Sequence, residues 1–361
     1  MAPARAAAKG RARMKYNQPY GLAEEDVLYS VPFVNGDPSI GRAGSIPPAE
    51  SIEYDQREII AVIQWAYDHG YVDYAAQLCQ APTNADLTQL LKAIWGLVNS
   101  RFLQAPRDYY VNAVTGNDAN DGLSAAKPFK TLQKAQDTLV RFNLNGYNVT
   151  VHVAAGTYAP VNIGSIGGAG TVSYVGDTSN PANCLIAASV GPSVGVIGTG
   201  DYRFYGFKCT SAANDVGVPS TCFWVWGTAT VALYQIEFGA TIDAHMITVN
   251  GGYIGCFGPF KVTGNTNNHY YCGSGGRILN TTYAPALLAL TIPNPITVTR
   301  WVYCDGASGT VMKYGTITGF ANVTGQKYTA VQNSIIDSVG GGINYLPGTI
   351  AGTTASGGQY T

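Results

Sequence analysis

A loose repeat of short runs phased on apolar anchors constrains the fold of this chain more than any other feature. The runs Phe207-Lys208-Cys209, Ile236-Glu237-Phe238, Phe260-Lys261-Val262, Ile296-Thr297-Val298 and Thr316-Ile317-Thr318 can be phased on Phe207, Ile236, Phe260, Ile296 and Ile317, at intervals of 29, 24, 36 and 21 residues. Repeats of this size imply stacked units, because one coil cannot bury its inner face alone. Between the anchors, runs of Val, Ile, Thr, Phe and Tyr alternate with Gly, Asn, Ser and Pro turns. Residues 143–361 hold 35 of the 44 glycines. The pattern predicts a mainly β solenoid of about eight coils, on the order of 40 Å long at roughly 4.8 Å per strand layer. Loops should project where the intervals are long. Only 12% of residues are charged, which suits extended strand surfaces and argues against disorder.

The solenoid is entered through Asp108 to Tyr158. Tyr109 to Val114 alternates as a strand, and Gly116 to Gly122 is a loop whose Asn and Asp side chains can bond their own backbone. Asp118, Asn120 and Asp121 superficially suggest calcium, but Gly122 comes one position early for an EF-hand loop and Phe129 stands where the closing carboxylate belongs. From Thr131, Leu132, Ala135, Leu139 and Phe142 recur at helical spacing behind Pro128, and Asn145-Gly146 ends the helix. Val149, Val151 and Val153 then alternate with Thr150 and His152 as a half-buried strand. One helix leading into an otherwise all-strand region predicts a plug over the open end of a strand stack.

The residues Y-V-N-A-V-T-G-N-D-A-N-D-G-L-S-A-A-K-P-F-K-T-L-Q-K-A-Q (110–136), followed by V-A-A-G-T-Y (153–158), resemble the opening of right-handed parallel β-helix proteins of the pectin-lyase-like superfamily. They are particularly similar to bacteriophage and prophage tail spike or tail fibre proteins. The resemblance covers residues 108–361 and implies a single-stranded, right-handed parallel β-helix capped by a short helix, with a small helical segment before it. The same opening precedes lyases, hydrolases, esterases and domains without chemistry. The end, G-G-G-I-N-Y-L-P-G-T-I-A-G-T-T-A-S-G-G-Q-Y-T (340–361), looks like the exit from a phage-type β-helix.

Three regions follow: a basic tail at 1–15, an amino-terminal segment at 16–104 and the β-helix at 105–361. Residues 16–104 carry eleven of the 22 acidic residues and only four basic ones. Asn35-Gly36-Asp37-Pro38 is a turn. Asp55 with Glu58 forms a capping-box pattern ahead of a helix striped with Ile59, Ile60, Ile63, Ala66 and Tyr67 that ends at Gly70. A second helix is predicted from about Asp86 to Arg101, with Leu87, Leu91, Ile94 and Val98 spaced as a helical stripe. That stripe suits either a short three-stranded coiled-coil seam or packing against the first helix. The segment from Val34 to Ile59 resembles amino-terminal segments of phage tail proteins, which implies attachment to other tail or baseplate proteins.

Composition narrows the function. The net charge of -1 gives no general reason to expect nucleic acid or a membrane surface as partner. Five basic residues in a terminal tail are ordinarily solvated. No apolar run is long enough to span a membrane, and none follows the basic tail as a signal peptide requires. The seven cysteines lack a C-x-x-C pair and read as buried free thiols. No cofactor or metal is expected. A protein made in the host cytoplasm and released at lysis, as a virion component is, fits this combination.

Glycan-cleaving β-helix enzymes generally use two carboxylates. Beyond Asp137 the chain offers only Asp177, Asp201, Asp215, Glu237, Asp243, Asp305 and Asp337. Strand alternation puts Asp243 and His245 on one face, opposite Ile242, Ala244 and Met246, with Glu237 six residues before Asp243. The trio is the candidate acid/base cluster, and solvated outer-face residues give the same pattern. Polygalacturonase-like enzymes carry a G-H-G segment and adjacent aspartates, neither of which is present. Pectin methylesterases commonly have a glutamate where Ala159-Pro160 stands, and no calcium-binding acidic cluster with arginine of the pectate-lyase kind surrounds Arg203, Arg277 or Arg300. Trp224 and Trp226 face opposite to Phe223 and Val225, and Tyr234, Tyr253, Tyr270, Tyr271, Trp301 and Tyr303 lie in comparable runs. Exposed rigid rings stack on sugars, so Trp224, Trp226, Trp301 and Tyr303 are the candidate glycan-binding residues. The same rings could instead fill the interface of a homotrimer. The expectation is a trimeric tail spike or fibre that binds host-surface polysaccharide, with a polysaccharide hydrolase or lyase as the alternative.

Overall fold

The computed structural model describes residues 49–71, 79, 81, 88–280 and 288–361. The basic tail, the Asn35–Pro38 turn and Leu87 lie outside the described residues, as does the Asp55 side chain. The chain divides into two compact units, Met1–Ser100 and Arg101–Thr361.

In the first unit, helix α1 (Ala49–Asp68) starts six residues ahead of Asp55. Ala49-Glu50-Ser51 suits a helix start directly behind Pro47-Pro48, so Asp55 sits inside the helix rather than at its cap. The chain leaves α1 through Gly70, whose φ of 64° is left-handed and favours glycine. Helix α2 (Gln89–Asn99) buries Ala93 against Ile63 and Ala66 of α1, with Val62, Leu90 and Cys79 around them. Leu91 and Ile94, from the predicted stripe, do not enter this contact and remain 59% and 46% exposed.

The second unit is mainly β, a right-handed parallel β-helix. Its strands form three faces. Face one runs through Arg107–Val111, Val149–Val153, Val172–Val175, Asp201–Ser211, Thr230–Phe238, Tyr253–Cys256, Arg277–Asn280, Gly309–Met312, Ile335–Asp337 and Gln359–Tyr360. Face two comprises Gly156–Tyr158, Cys184–Ala188, the second halves of Asp201–Ser211 and Thr230–Phe238, then Phe260–Val262, Ala289–Thr291 and Thr316–Thr318. Face three comprises Val161–Ile163, Val194–Ile197, Thr221–Trp226, Ala244–Val249, Thr266–Cys272, Ile296–Cys304, Val323–Ala330 and Thr353–Thr354. Ten successive layers on face one give a stack of about 40 Å. Asp201–Ser211 and Thr230–Phe238 bend from face one to face two at Gly206 (φ 72°) and Gln235 (φ 49°).

Because each strand lies in register on the next, alternate residues form columns along the interior. Tyr109, Val151, Tyr174, Phe204, Leu233 and Cys256 make one such column, all buried. The phased repeat is the register of face two: Phe207, Ile236 and Phe260 pair in sequence, and Leu290 and Ile317 continue the column. Ile296 does not belong to it. Ile296-Thr297-Val298 has the same apolar–polar–apolar form but lies on face three, where Ile296 pairs with Val323.

Helix α3 (Leu132–Leu139) buries Leu132, Ala135, Gln136 and Leu139 over the first coils, as the plug reading expected. Thr131 caps it by accepting a hydrogen bond from Lys134 N. Gln136 Oε1 accepts from Tyr174 OH at 2.7 Å, and Gln133 exchanges two bonds with the Asn162 backbone. The preceding loop uses its polar side chains on itself. Asp118 accepts from Lys130 N, Thr131 N and Thr131 Oγ1, Asn117 from Ala119 N, and Asp121 from Leu123 N, while Asn120 Nδ2 donates to Pro128 O. Gly122 is required there: its φ is 70°, and a Cβ would stand 2.3 Å from the Phe129 ring. Cys184, Cys209, Cys222, Cys256, Cys272 and Cys304 are free thiols, and all seven cysteines are buried. Burial pushes the Cys209, Cys222 and Cys256 thiols well up, which leaves them unreactive.

Candidate glycan-binding surface

Glu237, Asp243 and His245 do not converge. Glu237 stands on face two between Lys208 and Lys261, its cross-strand partners, with ion pairs of 2.7 and 3.5 Å. Thr263 Oγ1 donates a third contact at 3.0 Å. Burial raises the Glu237 pKa, but the Lys208, Thr263 and Lys261 contacts outweigh it and hold the carboxyl below its usual value. A carboxylate in this state is a poor proton donor near neutrality. Asp243 Oδ2 accepts from Ser220 N at 3.2 Å, tying down the turn before Ala244–Val249.

His245 points into the solenoid, which corrects the alternation argument that set it beside Asp243 and opposite Met246. Both His245 and Met246 are fully buried. The same break recurs in neighbouring coils, where Cys222 and Phe223, His269 and Tyr270, and Trp301 and Val302 are consecutive buried residues. His245 Nδ1 lies 2.8 Å from His269 Nδ1, so one ring donates and the other accepts. Phe238 and Trp301 close around the pair, with ring centroids of Phe238 5.5 Å from His245 and of Trp301 4.2 Å from His269.

The break also moves Trp301 from the candidate binding face to the interior. In Ile296–Cys304 the register shifts between Thr297 and Arg300, and Trp301 follows the bulge into the core. Tyr270 is interior as well.

The other aromatic candidates do face outward. Phe223 and Val225 enter the core, while Trp224 and Trp226 stand outside, edge to face at 5.4 Å. Trp226 is 44% exposed; Trp224 is largely covered by Val218, Ala244, Ile247, Val249 and Tyr271. In register, Trp224 is followed by Ile247, Tyr271 and Tyr303, one per coil. Tyr271 and Tyr303 rings lie 5.2 Å apart. Tyr271 OH donates to Asp305 Oδ2 at 3.3 Å, and burial with the Asp305 carboxylate pushes its hydroxyl up to about 12. Arg300 lies over the Tyr303 ring, its guanidinium carbon 4.2 Å from the centroid. The result is a rigid row of rings along the solenoid axis, edged by one cation and one carboxylate.

A second row was only partly visible in the sequence. On face one, Tyr205 stacks on Tyr234 at 4.3 Å, and Tyr234 on Phe257 at 5.6 Å. The Phe257 ring lies on the backbone of Gly255, where a Cβ would meet it at 2.4 Å. Arg203 beside this row is already paired with Asp201 at 3.4 Å. The signal for the row is the residue two before the face-two anchor, tyrosine in two successive coils. Near the plugged end, a cleft of ≈ 300 Å³ is lined by Tyr110, Asn112, Pro128, His152 and Gly176. There His152 lies 3.3 Å from Asp108 and stacks on Tyr110.

Among the described residues no group of three or more His, Cys, Asp or Glu is placed to hold a metal ion, and no helix is long and apolar enough to cross a membrane. No family model matches the chain, and no curated protein matches it. The parallel β-solenoid is consistent with pectin-lyase-like spike folds and equally with polysaccharide-acting enzymes.

Proposed function

We propose that this protein is a bacteriophage tail spike or fibre component that binds host-surface polysaccharide through the outer row of face three. The observation that carries the reading is the row itself: Trp226, Tyr271 and Tyr303 stand on stacked strands around the covered Trp224, so rings and spacing are set before any ligand arrives. The resemblance of residues 110–136 and 153–158 to tail spike and fibre openings supports the virion assignment. Residues 16–104 would attach it to other tail or baseplate proteins. A homotrimer is supported by the exposed Leu91 and Ile94 on α2, a helical stripe left unburied by α1. Glu237, neutralised by two lysines, weighs against a hydrolase built on that carboxylate.

The test uses the purified protein, candidate capsules and lipopolysaccharides, and the virions. Mass spectrometry of purified particles should detect the chain, and the protein should bind a host polysaccharide without releasing new reducing ends or unsaturated uronates. Absence from particles would overturn the virion assignment; release of cleaved glycan would overturn the purely binding role.

A further inference from the structure

We infer that the Arg300–Tyr303 edge of face three recognises an acidic sugar, so that the polysaccharide bound there carries carboxylates such as those of uronic or sialic acids. The inference rests on the glycan-binding reading and adds the class of ligand. Its basis is the state of Arg300. Lys208 and Lys261 are spent on Glu237, and Arg203 on Asp201. Among the described residues no carboxylate lies within ion-pair distance of Arg300, although it is only partly exposed and its Nε is enclosed without a hydrogen-bond partner.

The surroundings explain why the gap is not filled from within. Asp305, the nearest carboxylate along the chain, receives the Tyr271 hydroxyl; it acts with Arg300 on the Tyr271 and Tyr303 hydroxyls but lies beyond ion-pair distance of the guanidinium. The cross-strand neighbours of Arg300 are Asn268 and Gln326, both neutral. Asn268 donates Nδ2 to Asp243 O while its Oδ1 is buried without a partner, and Gln326 binds Thr353 and Thr329. The Tyr303 ring under the guanidinium holds it beside rings suited to a sugar face, and the planar fork of an arginine binds carboxylates in bidentate fashion. Carboxylate geometry matches such a fork; a neutral hydroxyl engages it more weakly.

The experiment compares binding of the full-length protein to acidic oligosaccharides (oligogalacturonate, hyaluronan and polysialic acid fragments) and to the same skeletons after carboxyl reduction. The wild type should hold at least one acidic probe about ten- to hundredfold more tightly than its reduced counterpart, as a charge-assisted pair implies. Arg300→Met should remove the preference while binding to the reduced probe persists, and Arg300→Lys should keep part of it. A wild type that binds acidic and reduced probes alike, or whose preference survives in Arg300→Met, overturns the acidic-sugar inference and leaves glycan binding standing. A wild type that binds no probe, acidic or reduced, overturns the inference, while host-polysaccharide binding is judged separately on native capsules and lipopolysaccharides.

Discussion

Glu237 illustrates how a residue with catalytic chemistry is turned to structure. Lys208, Glu237 and Lys261 occupy one column on three successive coils, with the carboxylate only 3% exposed. Glu237→Gln removes the charge that lets two lysines lie side by side. It should cost about 1–2 kcal/mol in stability, less than a fully buried pair because both lysines keep contact with water. Glycan binding should be unchanged, as thermal unfolding and titration of the same variant can check. The interior His245–His269 pair makes the second residue-scale prediction. Burial drives both pKa values down, that of His245 to about 3, so both rings are neutral in the folded state. The unfolded chain takes up protons from about pH 6.5 downward and the folded one does not, so stability is intact above that pH and falls below it. At about 1.4 kcal/mol per residue and pH unit, the pair costs on the order of 5 kcal/mol by pH 4.5. Unfolding in denaturant at pH 7.5 and 4.5 should show this loss. A His245→Phe/His269→Phe variant that loses stability just as steeply over that interval would contradict it.

Among the elements, α3 and its loop carry the amino-terminal end of the solenoid. Leu139→Ala empties a fully buried site under the plug and should cost about 2–4 kcal/mol. Asp118→Ala removes three hydrogen bonds that fasten the loop to the helix start and should cost about 1–3 kcal/mol. Both losses are measurable by chemical denaturation. This element was legible in the sequence because its signals are local: Pro128 ahead of the helix start, an apolar stripe from Leu132, and Asn and Asp side chains within reach of their own backbone; the Thr131 cap emerges only from the structure. The face-two column was legible only in part. The phased repeat holds Lys208, Glu237 and Lys261 at equivalent positions, but the sequence reading grouped Glu237 with Asp243 and His245, and the lysine column emerges only from the register. Two further things were not legible. Ile296-Thr297-Val298 matches the repeat in form, and only the coil count separates it from Leu290 and Thr291. His245 and Trp301 sit at a break in strand alternation, where two neighbours both turn inward, and an alternating pattern carries no mark of that break. The binding row was half legible: Trp224 and Trp226 follow from alternation, but Arg300 acquires its role only from lying over Tyr303 and lacking a carboxylate.

For the whole molecule, a stacked solenoid gives each outer row a rigidity that no loop provides, since every ring is carried by a strand paired on both sides. The first unit carries the proposed trimer seam. In the proposed trimer, Leu91→Ser with Ile94→Ser should shift the protein towards monomer in sedimentation velocity and leave the β-helix circular dichroism intact; a trimer unchanged by the substitutions would exclude α2 as its seam. The outer row of face three as the polysaccharide-binding surface is tested most directly by affinity electrophoresis through gels containing host polysaccharide, comparing wild type, Trp226→Ala/Tyr303→Ala and Glu237→Gln. The double aromatic variant should be retarded about tenfold more weakly than wild type, with Glu237→Gln retarded normally. A double variant retarded as strongly as wild type would contradict the assignment of this face.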